Sequence, residues 1–318
     1  MQEVSVIIPN YNGMAYLEGV LSSLEQQDFQ NFETILVDNG SADGSVAFVM
    51  GNFPWVHIVE LPDNFGFSRA VNEGIYASRA PYVLLLNNDT EVDKSFVREM
   101  LASIKGHKKA FSCSARMIRY HERNKLDDAG NYYCALGWAF ARGKGKDIHT
   151  YEKEDRIFTS CAGAAIYRKK IFEKIGYFDE EHFAYLEDID VGYRARIFGY
   201  ENWYAPKALV YHVGSGTSGS RYNQFKTRYS SRNNIYLIYK NMPALQILLN
   251  LPFLIVGFGM KILFFAQKGM GREYIAGIKN GFQISRKNKK VKFHLKNLGR
   301  YGKIQLELWW NLIYRLFA

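Results

Sequence analysis

Several positions in this chain carry side chains whose type and setting could do chemistry. Asp38 closes the apolar run TILVD (34–38) and opens DNGSADGS, a turn that lets a carboxylate face a ligand while Asp43, Gly44 and Ser45 start the next helix. A carboxylate there could accept the imide N–H of a uracil or thymine. Asp89 follows the run YVLLL in Asn87-Asn88-Asp89, where Asn88 puts a carboxamide beside the acid. Hard oxygen ligands of this kind suit Mg2+ or Mn2+, and a divalent ion bridging a diphosphate neutralises charge that develops on a leaving group. Glu187, Asp188 and Asp190 crowd the start of LEDIDVGYRARIFGY. A carboxylate at a helix start can be aimed at a substrate hydroxyl as its base, although the helix dipole favours acids there in any case. Spacing leaves open which of the three that would be. His212, after an apolar run, reads by itself as a structural histidine.

The elements that must position these groups alternate along the first hundred residues. Short β-branched runs at 4–8, 34–38, 56–61 and 82–87 are separated by helical patterns near 14–27, 43–51 and 67–78. Bounded by Pro, Asn, Asp and Gly, such runs predict buried parallel strands joined by right-handed βαβ crossovers, hence a Rossmann-like open sheet. Ligands of such a sheet bind at the carboxyl ends of its strands, and the polar segments 10–13, 38–41, 63–67 and 87–90 lie there. No GxGxxG or GxxxxGK[ST] follows the first run, which argues against a dinucleotide dehydrogenase or a P-loop NTPase. Residues 111–160 show no clear period, and the Gly/Lys-rich stretch 141–147 reads as a mobile loop. Helices are expected from Lys169 to Gly176 and over the segment that follows Leu186.

The 318 residues carry a net charge of +10, unevenly spread. From Ser220 onward 18 Lys and Arg face two acids, a net +16, whereas the preceding part carries −6. Residues 244–266 are mostly apolar but interrupted by Asn250, Pro252, two glycines and Lys261, and the last sixteen residues pair Trp309 and Phe317 with Lys303 and Arg315. Basic amphipathic helices of this kind fit an anionic membrane surface better than nucleic acid. They also offer a surface for self-association. Cys113, Cys134 and Cys161 are widely spaced and read as reduced cytosolic thiols, and the N-terminus has no basic leader.

Taken in order, VSVIIPNYNG (4–13), ILVDNGSADGS (35–45), DNFGFSRAVNEGI (63–75), LLLNNDT (84–90), GAAIYRKKIFEKIGYFDE (163–180), FAYLEDIDVGYRARIFGY (183–200), VYHVGSG (210–216) and RNNIYL (232–237) resemble glycosyltransferase family 2 of the GT-A fold. They are most similar to bacterial rhamnosyltransferases of cell-wall polysaccharide assembly. The resemblance implies an α/β architecture, an open, mostly parallel sheet flanked by helices. It divides the chain into a catalytic domain over 1–240 (nucleotide-binding half 1–110, acceptor-binding half 111–240) and a basic amphipathic helical tail over 241–318. It further implies that Pro9, Tyr11, Asp38, Asn64, Arg69 and Asn88 bind the nucleotide, that Asp89 is the last acid of the DxD-type metal motif, and that His212 is a further metal ligand. Asn87 replaces the first acid of that motif. Among the clustered carboxylates the family pattern favours Asp188 as the general base, with Glu187, Asp190 and Trp138 near the acceptor or behind the base; capping the helix or positioning Arg194 is the alternative for Asp190. The implied activity is inverting transfer of L-rhamnose from dTDP-rhamnose, with Mn2+ or Mg2+, to a lipid-linked saccharide at the cytoplasmic membrane face. A UDP-sugar donor such as UDP-galactofuranose or UDP-glucose is the alternative.

Overall fold

A computed structural model of the chain describes residues 2–214 and 222–317, so Ser215 and Gly216 of the VYHVGSG motif lie outside the described residues. The first half runs β1 (Val4–Asn10), α1 (Met14–Glu25), β2 (Phe32–Asn39), α2 (Ser45–Asn52), β3 (His57–Leu61), α3 (Phe67–Ala77) and β4 (Tyr82–Leu86). It continues through β5 (Thr90–Val92), α4 (Phe96–Gly106), β6 (Ala110–Arg119), β7 (Leu126–Asp128), β8 (Asn131–Cys134), β9 (Trp138–Ala141), β10 (Asp155–Ile157) and β11 (Ala164–Arg168). Then follow α5 (Lys169–Ile175), α6 (Glu187–Ile197), β12 (Glu201–His212) and four longer helices, α7 (Gln224–Asn241), α8 (Ala244–Gln267), α9 (Gly271–Lys287) and α10 (Leu298–Phe317).

The β-branched runs become strands because both of their faces are covered. In β1, Val6 and Ile8 pack with Leu17, Leu21 and Leu24 of α1 on one side, while Ile7 packs with Ala70, Val71 and Ile75 of α3 on the other. The sheet order is β10-β12-β6-β11-β4-β1-β2-β3, with β5 added on β12 and β7 on β6. Strands β3, β2, β1 and β4 are mutually parallel; β11 runs antiparallel between β4 and β6, and β12 is parallel to β6. This is the mostly parallel, helix-flanked sheet that the alternating runs predict. Register sets Asn10 beside Asp38, and β4 pairs with β1 up to Leu85 opposite Ile7, so Asn10, Asn39 and Asn87–Asp89 emerge along one edge.

The stretch 141–147 is not a mobile loop. It turns back onto 124–126, with the Gly145 N–H donating to the Leu126 carbonyl (2.8 Å) and the Leu126 N–H to that of Lys146 (2.8 Å). Gly143 and Gly145 supply the left-handed conformations (φ 73° and 82°) this tight return requires.

Residues beyond 240 share a core with the second half of the sheet. Tyr301, Ile304 and Leu308 of α10 pack with Tyr133, Phe158, Tyr193 and Tyr204. Despite Pro252, α8 runs unbroken for 24 residues and is long and apolar enough to cross a membrane. One stripe of it is nevertheless fastened to protein. The Asn250 amide exchanges bonds with Gln305 (2.8 Å each way) and accepts one from Trp309 Nε1 (3.2 Å), while Trp138 Nε1 donates to the Gly257 carbonyl (3.1 Å). The opposite face presents Leu245, Leu248, Ile255 and Leu263, each at least 63% exposed.

Candidate active site

The strand ends open into a cleft of about 860 Å³. Pro9, Asn10, Tyr11, Asn39, Asn64, Asn87, Asn88 and Asp89 form one wall; Glu187, Asp188 and the segment 183–186 form another, and His212, Phe225 and Lys226 face them. The floor is a chain of carboxamides. Asn88 Nδ2 donates to Asn10 Oδ1 (2.8 Å), and Asn10 Nδ2 donates to Asp38 Oδ1 (2.9 Å). Gly13 leaves room for this chain, since a Cβ there would come within 2.0 Å of Asn88 Nδ2 and would require that amide to shift.

Asp89 and His212 meet because β12 pairs with β5, placing His212 opposite Thr90. His212 Nε2 lies 3.3 Å from Asp89 Oδ1, and its Nδ1 lies 2.8 Å from Asp127 Oδ2. Lys144, from the turn after β9, holds the other Asp127 oxygen at 2.8 Å. Burial lowers the His212 pKa, but the bonds to Asp127 and Asp89 more than offset that, and it rises to about 9. Asp127 is pushed up by burial and held well below the carboxylate range by His212 and Lys144. Among the described residues no three His, Cys, Asp or Glu side chains group to hold an ion by themselves. A carboxylate and an imidazole side by side, the imidazole oriented from behind by a second carboxylate, nevertheless fit Mn2+ or Mg2+ if substrate oxygens complete the shell.

Across the cleft, Asp188 sits in the first turn of α6. Its Oδ2 accepts from Asn131 Nδ2 (3.0 Å) and its Oδ1 from the Ile189 N–H (2.7 Å), while Thr159 Oγ1 donates to its carbonyl (2.6 Å). Burial raises the Asp188 pKa against the lowering effect of these bonds. Neighbouring Glu187 is raised by burial and then by Asp188, and its buried Oε2 has no hydrogen-bond partner. A carboxylate that must ionise in dry surroundings is a strong base once it does. The approach to α6 is strained. Phe183, Tyr185 and Leu186 have φ of 58°, 73° and 66°, conformations that cost non-glycine residues about 1–3 kcal/mol each.

The structure therefore brings Pro9, Tyr11, Asn64, Asn88, Asp89, Glu187, Asp188 and His212 to one cleft. Asp38 stands one layer behind Asn10, its second oxygen taken by the Ser41 N–H (2.9 Å). Arg69 faces a neighbouring pocket and is paired with Glu73 (2.6 Å) and Glu180 (3.1 Å). One expectation needs correction. Trp138 points to α8 rather than to the acceptor region, because its indole N–H is spent on Gly257. Asp190, two residues after Asp188 and so on the opposite side of α6, takes the alternative role beside Arg194, fully buried against Arg194 (2.9 Å), Lys240 (2.9 Å) and Asn241 (2.7 Å). Sequence reasoning missed Asp127 and Asn131, which sit in strands of three and four residues without a readable period.

A family model described as Glycosyl transferase family 2 matches residues 5–176. The poly-beta-1,6-N-acetyl-D-glucosamine synthase of Staphylococcus epidermidis is 26% identical over 251 residues, covering 77% of this chain and 58% of its own length. The N-acetylglucosaminyl-diphospho-decaprenol L-rhamnosyltransferase of Mycobacterium tuberculosis is 24% identical over 237 residues, covering 67% of this chain and 77% of its own. Among solved structures, the mannosyltransferase PcManGT of Pyrobaculum calidifontis, in complex with GDP-Man and Mn2+, superposes with a TM-score of 0.56 at 14% identity, covering 88% of this chain and 87% of that one. The chain spans less than two thirds of the length of the staphylococcal synthase. The family model covers more than half of the sequence, including the strand ends that floor the cleft, and the chain belongs to glycosyl transferase family 2.

Proposed function

We propose that the chain is an inverting glycosyltransferase moving a sugar from a nucleotide-sugar donor to a lipid-linked saccharide at the cytoplasmic membrane face. The observation that carries this reading is one cleft holding a half-buried carboxylate, Asp188, together with an Asp89–His212 pair suited to a divalent cation. The nucleotide lies along Pro9, Tyr11, Asn64 and Asn88, with Asp38 ordering that floor through Asn10 and the Ser41 turn, and Arg69 flanking it. Asp188 removes the proton of the acceptor hydroxyl as its oxygen bonds to the anomeric carbon, while the bond from that carbon to the diphosphate oxygen breaks on the opposite face. Asn131 holds the carboxylate on line. Glu187, beside it, contacts the acceptor. A divalent ion held by Asp89 and His212 supplies the charge neutralisation that the departing diphosphate requires.

L-Rhamnose from dTDP-rhamnose is the donor favoured by the motif pattern, and the mycobacterial relative supports it. The staphylococcal synthase favours a second reading, a UDP-sugar such as UDP-N-acetylglucosamine, beside UDP-galactofuranose and UDP-glucose. Transfer to a lipid-linked saccharide should be measured over this panel with Mn2+ present. Preference for a UDP-sugar over dTDP-rhamnose would remove the rhamnose assignment, and full activity in Asp188→Asn would remove the base.

Membrane attachment is supported by the exposed face of α8 and the +16 charge beyond Ser220. The bonds from Asn250 and Gly257 to the rest of the protein support a reading in which α8 lies along the membrane surface. Anionic vesicles should bind the protein. Failure to bind them, with dimers in light scattering, would assign the face to self-association.

A further inference from the structure

The motif RNNIYL lies in the second half of α7, yet nothing in the proposed reaction uses its Asn233. We infer that Asn233 is a positioning residue, clamping the strained turn 182–185 so that Asp188 is aimed into the cleft. This rests on the reading of Asp188 as the base. Asn233 is completely buried and lies outside the cleft lining, so it does not touch substrate. Its two Nδ2 hydrogens are shared among three carbonyls within hydrogen-bond distance, those of His182 (2.8 Å), Ala184 (2.8 Å) and Tyr185 (2.7 Å). Its Oδ1 accepts from Arg232 Nε (2.9 Å), and that guanidinium donates in turn to the carbonyls of Glu181 and His182. The carbonyls of residues 181, 182, 184 and 185 are thus gathered by two adjacent side chains of one helix.

What they hold is the least relaxed backbone in the described chain. Three of its four positive-φ non-glycine residues, Phe183, Tyr185 and Leu186, fall here, and Leu186 leads directly into Glu187 and Asp188. Such conformations persist only when surrounding bonds over-determine them. Without the Asn233 amide the turn relaxes toward ordinary dihedrals and swings the start of α6. The body of α6 stays fixed by the Asp190 ion pairs with Arg194 and Lys240. Loss of the clamp therefore changes the aim of the base more than the fold.

The test compares Asn233→Ala and Asn233→Asp with wild type in the full chain, using the nucleotide sugar that wild type turns over. Rates are expressed per site titrated with UDP or dTDP. The kcat should fall about 100-fold, the cost expected of a misplacement of about 1 Å, while donor KM and nucleoside diphosphate Kd stay within about 3-fold. The acid limb of the kcat–pH profile should also move, which a loss of folded protein would not cause. Asn233→Ser, which keeps one donor, should lie between wild type and Asn233→Ala and serves if the others fold poorly. A kcat within about 3-fold of wild type, or a loss confined to KM, would overturn the inference. Asp188→Asn is run in parallel. An active Asp188→Asn sinks the base assignment, whereas an inactive Asp188→Asn with a fully active Asn233→Ala sinks only the clamp.

Discussion

At the scale of single residues, the behaviour of the cleft turns on which carboxylates are dry. A general base must be ionised, so activity rises with pH through its pKa; burial raises both Asp188 and Glu187, moving that limb above the ordinary carboxylate range of roughly 4. A kcat/KM profile at fixed Mn2+ should therefore lose activity on acidification well before ordinary carboxylates titrate, and a limb at the ordinary value would remove Asp188 from its role. Asp188→Asn should lower kcat by about 10²–10⁴-fold and leave nucleoside diphosphate binding intact in calorimetry. The cation pair responds differently. Asp89→Ala should abolish Mn2+ binding measured by electron paramagnetic resonance. Asp127→Asn, which unseats His212 from behind, should weaken it by about 10–100-fold.

At the scale of elements, α6 serves two purposes on two faces. Its first turn carries Asp188 to the cleft, and Asp190 anchors it to Arg194 and Lys240. Removing one member of a buried ion network leaves uncompensated charge, so Asp190→Ala should cost about 3–5 kcal/mol in urea denaturation. Burial opposes ionisation of Asp190, but Arg194 and Lys240 prevail and hold its pKa below the usual range. A folded pKa lower than the unfolded one contributes stability that is fully present above roughly pH 4 and is lost as pH falls further. Wild type should consequently lose stability more steeply below that pH than Asp190→Asn. The sequence made α6 legible through its helical spacing, and β1, β2 and β4 through their apolar runs, so Asp89 and Asp188 could be singled out. It could not separate the two faces of α6, because Glu187, Asp188 and Asp190 are equally favoured by the helix dipole. Asp127 and Asn131 were illegible for another reason. Their partners lie 85 and 57 residues away, and β7 and β8 are too short to show a period. Trp138 was misassigned because only the packing of α8 shows where an indole at that position turns.

At the scale of the whole molecule, charge and apolar surface are segregated. The part before Ser220 is net acidic and supplies most of the cleft, while the rest carries the excess of Lys and Arg beside the exposed flank of α8. Attachment should therefore have an apolar and a screened electrostatic component. Leu248→Asp with Ile255→Asp should reduce binding to phosphatidylglycerol vesicles in sedimentation by at least about tenfold, and raised salt should weaken the wild type, with nucleoside diphosphate affinity unchanged in both. The seam between α10 and β8 adds a constraint of timing. Leu308 offers its carbonyl to the Ala135 N–H (3.0 Å), Asn311 donates to the Tyr133 carbonyl (2.8 Å), and the aromatic core around Tyr133, Phe158 and Tyr193 is closed by Tyr301, Ile304 and Leu308. During synthesis residues 1–110 emerge before the strands that complete their sheet, and the layer behind Asp188 is closed only when α10 follows. On the proposed membrane attachment, α8 leaves the ribosome before α10 does, so capture at the bilayer would precede completion of the cleft.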